Sequence, residues 1–204
     1  GSMTVSLSGA GGTFGAQGAV NVVMDDVLTA VGKGGVFVAN GGGADFTAEA
    51  ETQAMSITAV ASLSGSNSTT VAANISSNTF QSSAKTVIAD NVSITAADDA
   101  NMTAKNAIDA FAFAGALGVT FGKNNPVAAT LVSNVQSSSA ESLLGSGVTV
   151  TSNDGSVNLG ADTSERLLSV PVAGGGLAGV LSVTVVDSTT RAVADKTSTL
   201  TAQK

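Results

Sequence analysis

Carboxylates carry most of the acid–base chemistry this sequence offers near neutral pH. There are 15 Asp and Glu against 8 Lys and Arg, with no His and no Cys in 204 residues. Without His, the usual neutral-pH general base and the commonest transition-metal ligand are missing. Without Cys, thiolate nucleophiles, disulfides, iron–sulfur clusters and zinc–thiolate centres are excluded. The carboxylates fall in near pairs, Asp25/Asp26, Glu49/Glu51 and Asp98/Asp99. Paired carboxylates serve as acid and base in glycoside hydrolysis. Stacked chain turns could also bring Asp45, Glu49 or Asp98 together. Against that chemistry, there is no Trp or Tyr to platform a sugar ring, and Arg166 is the one Arg ahead of Arg191. The expectation is a chain with no catalytic residue, no cofactor and no bound metal.

Other motifs read as architecture. Gly174-x-Gly176-x-x-Gly179 matches a dinucleotide fingerprint in letters, but that fingerprint needs a helix next. Val180-Leu181-Ser182-Val183-Thr184-Val185-Val186 follows instead, a strand sequence. Gly9 to Gly15 is a looser version of the same pattern. Gly41-Gly42-Gly43-Ala44-Asp45-Phe46 faintly resembles a calcium-binding nonapeptide, but consecutive copies are required and Ala97-Asp98-Asp99-Ala100-Asn101 stands at the next equivalent slot. Thr149-Val150-Thr151 and Thr199-Leu200-Thr201 resemble the hydroxyl rows of ice-binding solenoids, with Phe37 and Ser93 interrupting the equivalent places. Asn67, Asn74, Asn91 and Asn101 each begin a glycosylation acceptor triplet, a frequent accident in a Ser/Thr/Asn-rich chain.

The net charge of −7 with 8 scattered basic residues argues against nucleic acid, which needs clustered Lys and Arg. The longest weakly charged apolar run, Ala110 to Gly122, is shorter than the ~20 residues of a membrane-crossing helix, so no membrane insertion is expected. Gly1-Ser2-Met3 reads as an expression scar, and residues 4–204 as one domain cut from something longer, with any secretion signal outside it.

What must position these residues is a repeat. Val36-Phe37-Val38-Ala39, Val92-Ser93-Ile94-Thr95 and Val148-Thr149-Val150-Thr151 follow one another at a constant offset of 56. Phe46-Thr47-Ala48 matches Met102-Thr103-Ala104, Val71 matches Val127, Ile75 matches Leu131 and Val87-Ile88 matches Leu143-Leu144 at the same offset. Leu159-Gly160-Ala161 follows at 57, implying one inserted residue in the Ser152–Ser156 turn. Asn21 to Val38 reads as about three residues short of Asn74 to Ile94, and Thr199-Leu200-Thr201-Ala202 echoes Ser93-Ile94-Thr95-Ala96 after a shortened unit. The units run roughly over 4–56, 57–112 and 113–169, with a partial fourth over 170–204.

Within a unit the period is two, as in strands. Ala100 to Ala116 has helix-like spacing by itself, but its repeat-mates Phe46 to Leu63 and Leu159 to Gly174 carry strand formers. The sequence therefore predicts an all-β, parallel β-helix (β-solenoid) built from about 56-residue repeats, right-handed by the general crossover preference. At roughly 18–20 residues per coil, one unit would be about three coils, and the chain ten or eleven coils forming a rod of about 50 Å. Ala, Val, Ile, Leu and Gly are expected inward, with Ser, Thr and Asn outward.

Ala39-Asn40-Gly41-Gly42 after a Val-x-Val strand, Val87 to Ala96, and Ala173-Gly174-Gly175-Gly176-Leu177-Ala178-Gly179-Val180 resemble the repeat regions of large filamentous-haemagglutinin-like and leukotoxin-like bacterial exoproteins, exported by two-partner or autotransporter routes. The resemblance spans nearly the whole chain in repeat style and composition. It implies an extracellular or cell-surface fibre acting as shaft or broad adhesive surface, toward host or neighbouring-cell glycans or proteins, and carries over no functional residue. The alternatives are a β-helix enzyme on polysaccharide and a self-assembling matrix protein, since open strand edges invite end-to-end self-association.

Overall fold

The computed structural model describes residues 2–8, 13–65, 69–121 and 123–203, with the side chains of 2–8 left aside. Among the described residues there are twelve strands and no helix: β1 (Ser2–Ser8), β2 (Thr13–Val31), β3 (Val36–Ala39), β4 (Ala44–Ser64), β5 (Thr70–Ile88), β6 (Ser93–Ala96), β7 (Ala100–Thr120), β8 (Val127–Leu144), β9 (Thr149–Ser152), β10 (Val157–Gly174), β11 (Leu177–Ala194) and β12 (Thr199–Ala202). They form three parallel sheets. The first long sheet is β1-β4-β7-β10, the second β2-β5-β8-β11, and the short sheet β3-β6-β9-β12. The chain passes through the three in turn, so the fold is a parallel β-solenoid. The Ala-rich Ala100–Ala116 stretch lies within strand β7, as its repeat-mates require.

The register shows what the repeat is. Ala44 pairs with Ala100, and Ala100 with Val157, offsets of 56 and 57. The extra residue lies between β9 and β10, as the sequence implies. One repeat unit is therefore a single coil, not three. The reason is strand length: β4 and β7 each run 21 residues, so one wall alone is as long as a whole coil of the expected size. Four coils at about 4.8 Å give a stack of about 19 Å, while a 21-residue strand at about 3.3 Å per residue spans about 70 Å. A flat, wide stack replaces the expected rod of ten or eleven coils.

Two finer alignments also change. Val36 pairs with Ser93, so β3 aligns with β6 at 57 and Phe37, not Val38, shares the inward column with Ile94, Val150 and Leu200. Asn21 pairs with Asn78 and Val38 with Thr95, so the first coil lacks the three-residue deficit. The likeness of Thr199–Ala202 to Ser93–Ala96 holds as direct stacking through β9. The last coil is shorter because Gly175-Gly176 does the work of residues 118–126, and the offset from β8 to β11 falls to 50.

Alternation divides the core unevenly. Beside the short sheet, Ile88, Ile94, Met102, Leu144, Val148 and Val150 form one apolar cluster. Between the long sheets the inward residues are small or polar. Ala48, Ala50, Ala84, Ala104 and Ala140 pack together, and Asn74, Ser76, Asn78, Ser82, Asn106 and Asn134 are buried with them. This departs from the expected apolar interior with hydroxyls outside. The buried polar groups bridge the sheets: Ser82 Oγ donates to Asn106 Oδ1 (2.6 Å), Asn106 Nδ2 to the Ser82 carbonyl (2.8 Å), and Asn74 Nδ2 to the Gly115 carbonyl (2.9 Å). Asparagines also stack along the axis. Asn21 Nδ2 donates to Asn78 Oδ1 (2.8 Å), Asn78 Nδ2 to Asn134 Oδ1 (2.7 Å), and Asn134 Nδ2 to Ser169 Oγ (3.0 Å).

Ser62 Oγ and Asn74 Oδ1 are buried without a partner, and Gln136 goes furthest: it is fully buried, and neither its Oε1 nor its Nε2 has a partner. A buried, bonded polar group and a buried, unbonded one have opposite consequences. Asn78→Ala, which orphans groups on Asn21 and Asn134, is expected to cost about 2–3 kcal/mol. Gln136→Met, of similar length without the amide, is expected to add about 1–2 kcal/mol. Urea titration of the two variants should move the midpoint in opposite directions.

Candidate functional site

The carboxylates do not converge. Strand alternation sends consecutive residues to opposite faces, so Asp25 faces the interior, where it accepts from Thr52 Oγ1 (3.3 Å), and Asp26 faces outward. Asp98 and Asp99 lie in the turn between β6 and β7, where Asp99 Oδ1 accepts the Ser156 N–H (2.7 Å). Asp45 accepts from Asn101 Nδ2 (2.6 Å), and Asn101 Oδ1 from Asn158 Nδ2 (2.8 Å), a second amide ladder on the outer face of the first long sheet. Of the three pairs, only Glu49/Glu51 shares a face, and it lies on that same outer surface. Two positions along a strand, these side chains originate about 7 Å apart. Lys105 stacks on Glu49, and Asp162 on Lys105. Arg166 pairs with Asp109 at 3.7 Å, both exposed, beside a depression of about 220 Å³ that also touches Glu51 and Ser164. Among the described residues no three carboxylates are placed to hold a metal ion.

The glycine motifs resolve into turns. Gly174 ends β10 and Leu177 begins β11, so a strand stands where a dinucleotide site needs a helix. A Cβ on Gly175 would lie 3.1 Å from the Pro126 carbonyl oxygen, and one on Gly43 2.7 Å from that of Asp99. Both are close approaches between stacked turns. Gly9 to Gly12 of the looser motif lie outside the described residues. Asn74, heading an acceptor triplet, is buried inside the coil. On the short sheet, Phe37 faces inward and does not interrupt the hydroxyl rows. Their outward pairs are Ser93/Thr95, Thr149/Thr151 and Thr199/Thr201, ending on Val36/Val38 in the first coil.

Sequence reasoning missed a lengthwise division of the outer surface. Near the short sheet, both long sheets carry charge. Lys85 Nζ lies 3.0 Å from Glu141, and Arg191 3.7 Å from its other oxygen, so three coils are linked across the second long sheet. Toward the opposite edge, where β4 turns into β5, the strands carry no charge on their outer faces, and Lys123 in the β7–β8 turn is the charge there among the described residues. On the first long sheet Met55, Phe111 and Leu168 stack in one outward column, with Ile57, Phe113 and Val170 in the next. On the second, Ile75, Leu131 and Leu181 form a ridge beside the column Ala73, Ala129, Gly179, bounding a depression of about 460 Å³. The available signal was a strand in which both alternating sets are apolar, as in Phe111 to Leu117, where one set must face out.

One carboxylate is clearly perturbed. Asp195, in the turn between β11 and β12, accepts from the Thr197 hydroxyl (2.7 Å) and the Thr197 N–H (2.9 Å). These bonds, the hydroxyl first, hold it below the usual 3.8. A lowered folded-state pKa stabilises above the unfolded value, and the stabilisation is lost as pH falls through the folded one, here below about pH 4. Thr197→Val is expected to move the Asp195 titration upward in NMR and to weaken that acid-side dependence.

Comparison of the chain with protein-family models, curated proteins and solved structures finds no match in any of the three, so the functional reading rests on the sequence and the geometry above.

Proposed function

We propose that the chain is a structural and adhesive segment of a bacterial surface or secreted fibre, acting as shaft or broad binding surface and not as a catalyst. One observation carries this reading. Three parallel ladders run through every coil, and among the described residues the edges of β1, β2 and β3 at one end and of β10, β11 and β12 at the other have no strand beyond them. Such a stack extends by adding coils, and its outer surface is broad and shallow. The surface repeats chemically every ~4.8 Å, which suits many weak contacts with extended glycans or proteins. The Glu49–Asp109–Arg166 region is where an enzyme acting on polysaccharide would have to work, but its charged groups sit side by side on a flat face, not on opposite sides of a cleft. The test is a glycan array and a cell-binding panel probed with the chain at rising surface density, alongside a polysaccharide-hydrolysis panel. Binding that grows steeply with density and is competed by soluble chain is expected. Product release that falls in Glu49→Gln or Glu51→Gln would replace this reading with the enzyme.

The open edges also favour a second reading, a self-assembling matrix protein. Two inward carboxylates oppose copy-on-copy stacking. Asp25 in the first coil and Glu165 in the last are bonded by Thr52 and by Ser138 Oγ, each from an adjacent coil. Covering either end removes their water. Small-angle scattering of the Asp25→Asn/Glu165→Gln chain is expected to show concentration-dependent growth in steps of about 19 Å, four rungs of about 4.8 Å. The unaltered chain is expected to show less.

A further inference from the structure

We infer that the apolar half of the outer face of the second long sheet is a lateral interface between two copies of this chain, lying side by side with their stack axes parallel. The inference is independent of what the fibre binds. Five outward columns, beginning at Phe14, Ala16, Gly18, Val20 and Val22 and continued by the residues paired with them on β5, β8 and β11, comprise twenty positions. None is charged, and only Ser77, Ser133 and Thr79 carry hydroxyls. The face is open to solvent, with Phe14 68% exposed, Ile75 53% and Leu181 59%.

Its area and relief point to a second copy. Nine residues at about 3.3 Å, over four rungs at about 4.8 Å, give about 560 Å² of projected surface, or about 1,100 Å² for a pair of faces. That clears the ~1,000 Å² expected of a specific interface, and the single face of about 560 Å² stands at the top of the range of about 300–600 Å² for the largest apolar patch on a monomer, a size that is often functional. The ridge Ile75-Leu131-Leu181 runs beside the furrow Ala73-Ala129-Gly179, both parallel to the stack axis. A two-fold axis parallel to the stack, placed between them, seats each ridge in the partner's furrow. The operation is isologous, so the contact closes at two copies. It also keeps both stacks pointing the same way and leaves both ends free to continue. The acidic columns holding Asp26 and Asp187 fall outside the contact. A bilayer is the poorer occupant, because membrane-surface docking draws on several Lys and Arg around the apolar face, and these columns are bordered by Asp187 and Asp26 on one side and by the single Lys123 of the β7–β8 turn on the other.

The test uses the whole chain, whose lack of cysteine gives a clean background. Sedimentation equilibrium is expected to show a reversible species of twice the monomer mass and nothing larger at moderate concentration. Ile75→Lys/Leu181→Lys should weaken association at least 100-fold while leaving the circular dichroism spectrum and urea midpoint in place. Phe113→Lys on the other long sheet should leave the dimer intact. Mixing an Ala73→Cys chain with an Ile75→Cys chain should give a mixed disulfide faster than either chain alone gives its own. A monomer throughout, open-ended growth without a dimer plateau, a dimer indifferent to Ile75→Lys/Leu181→Lys, or a monomer that instead floats with zwitterionic vesicles would each overturn the inference.

Discussion

The narrow space between the two long sheets is the constraint on which everything else depends. Residues opposed across it include Ser82 and Asn106, bonded to each other in both directions, and Asn74 and Gly115. Side chains this short bring the sheets close enough for an amide on one to reach a carbonyl of the other. Burying polar groups is costly unless they are bonded, and here most of them are. The buried bonds do more than satisfy donors. Asn21, Asn78 and Asn134 must lie at one level of the coil to bond in series, and a one-residue slip would turn each to the opposite face. The asparagine ladder therefore pins the register that the apolar pattern alone, in a chain so rich in Ala, Ser and Val, leaves weakly specified.

That same constraint explains the outer surface. Hydrophobic residues make up 43% of the chain, yet between the long sheets only a few places, such as Phe80 against Ile108, admit a large side chain. The wide apolar space lies beside the short sheet, where three walls meet around Ile94, Val148 and Val150. Farther along the coil the bulky residues have only the outer faces to occupy, and Phe111, Phe113, Ile75 and Leu181 stand there. The charge on the outer strand faces lies in the other half, where Lys85, Glu141 and Arg191 link coils. The molecule is polar-cored and apolar-skinned at one edge, and the reverse at the other.

How much of this the sequence reveals follows from the same physics. The offset of 56 is legible because stacked coils repeat their inward residues: Ile88 on Leu144, Phe46 on Met102. Coil size is harder to read, because repeat length and coil length are separate quantities and only turn signals connect them. Asn40-Gly41-Gly42-Gly43, Ala97-Asp98-Asp99 and Asn153-Asp154-Gly155 are themselves about one unit apart and serve the same corner of successive coils. No turn signal interrupts Ala100 to Phe121, where coils a third of a unit long would need one. The inward asparagines are hidden for a different reason. Period-two alternation tells two faces apart without saying which is inside, and between these sheets the usual assignment of polar to outside is reversed. The carboxylate pairs are legible as residues but not as geometry, since whether Asp25 and Asp26 cooperate depends on their being in a strand, which separates them.

A stack of this kind has two directions in which it can meet other molecules, and the physical chemistry of each differs. Along the axis the contacts are backbone hydrogen bonds, strong in number and indifferent to side chains, so specificity there must come from inward groups such as Asp25 and Glu165, which accept only a coil that supplies a donor. Across the axis the contacts are side chains repeated every rung, so any partner whose own chemistry repeats at a matching interval gains from each added coil. Lengthening the stack multiplies lateral affinity without any new kind of contact, as in other multivalent binding. Low charge and a flat outer face are then what such a surface requires. A deep pocket would interrupt the ladder that holds the coils together, whereas a ridge and furrow running parallel to the axis leave every backbone hydrogen bond in place.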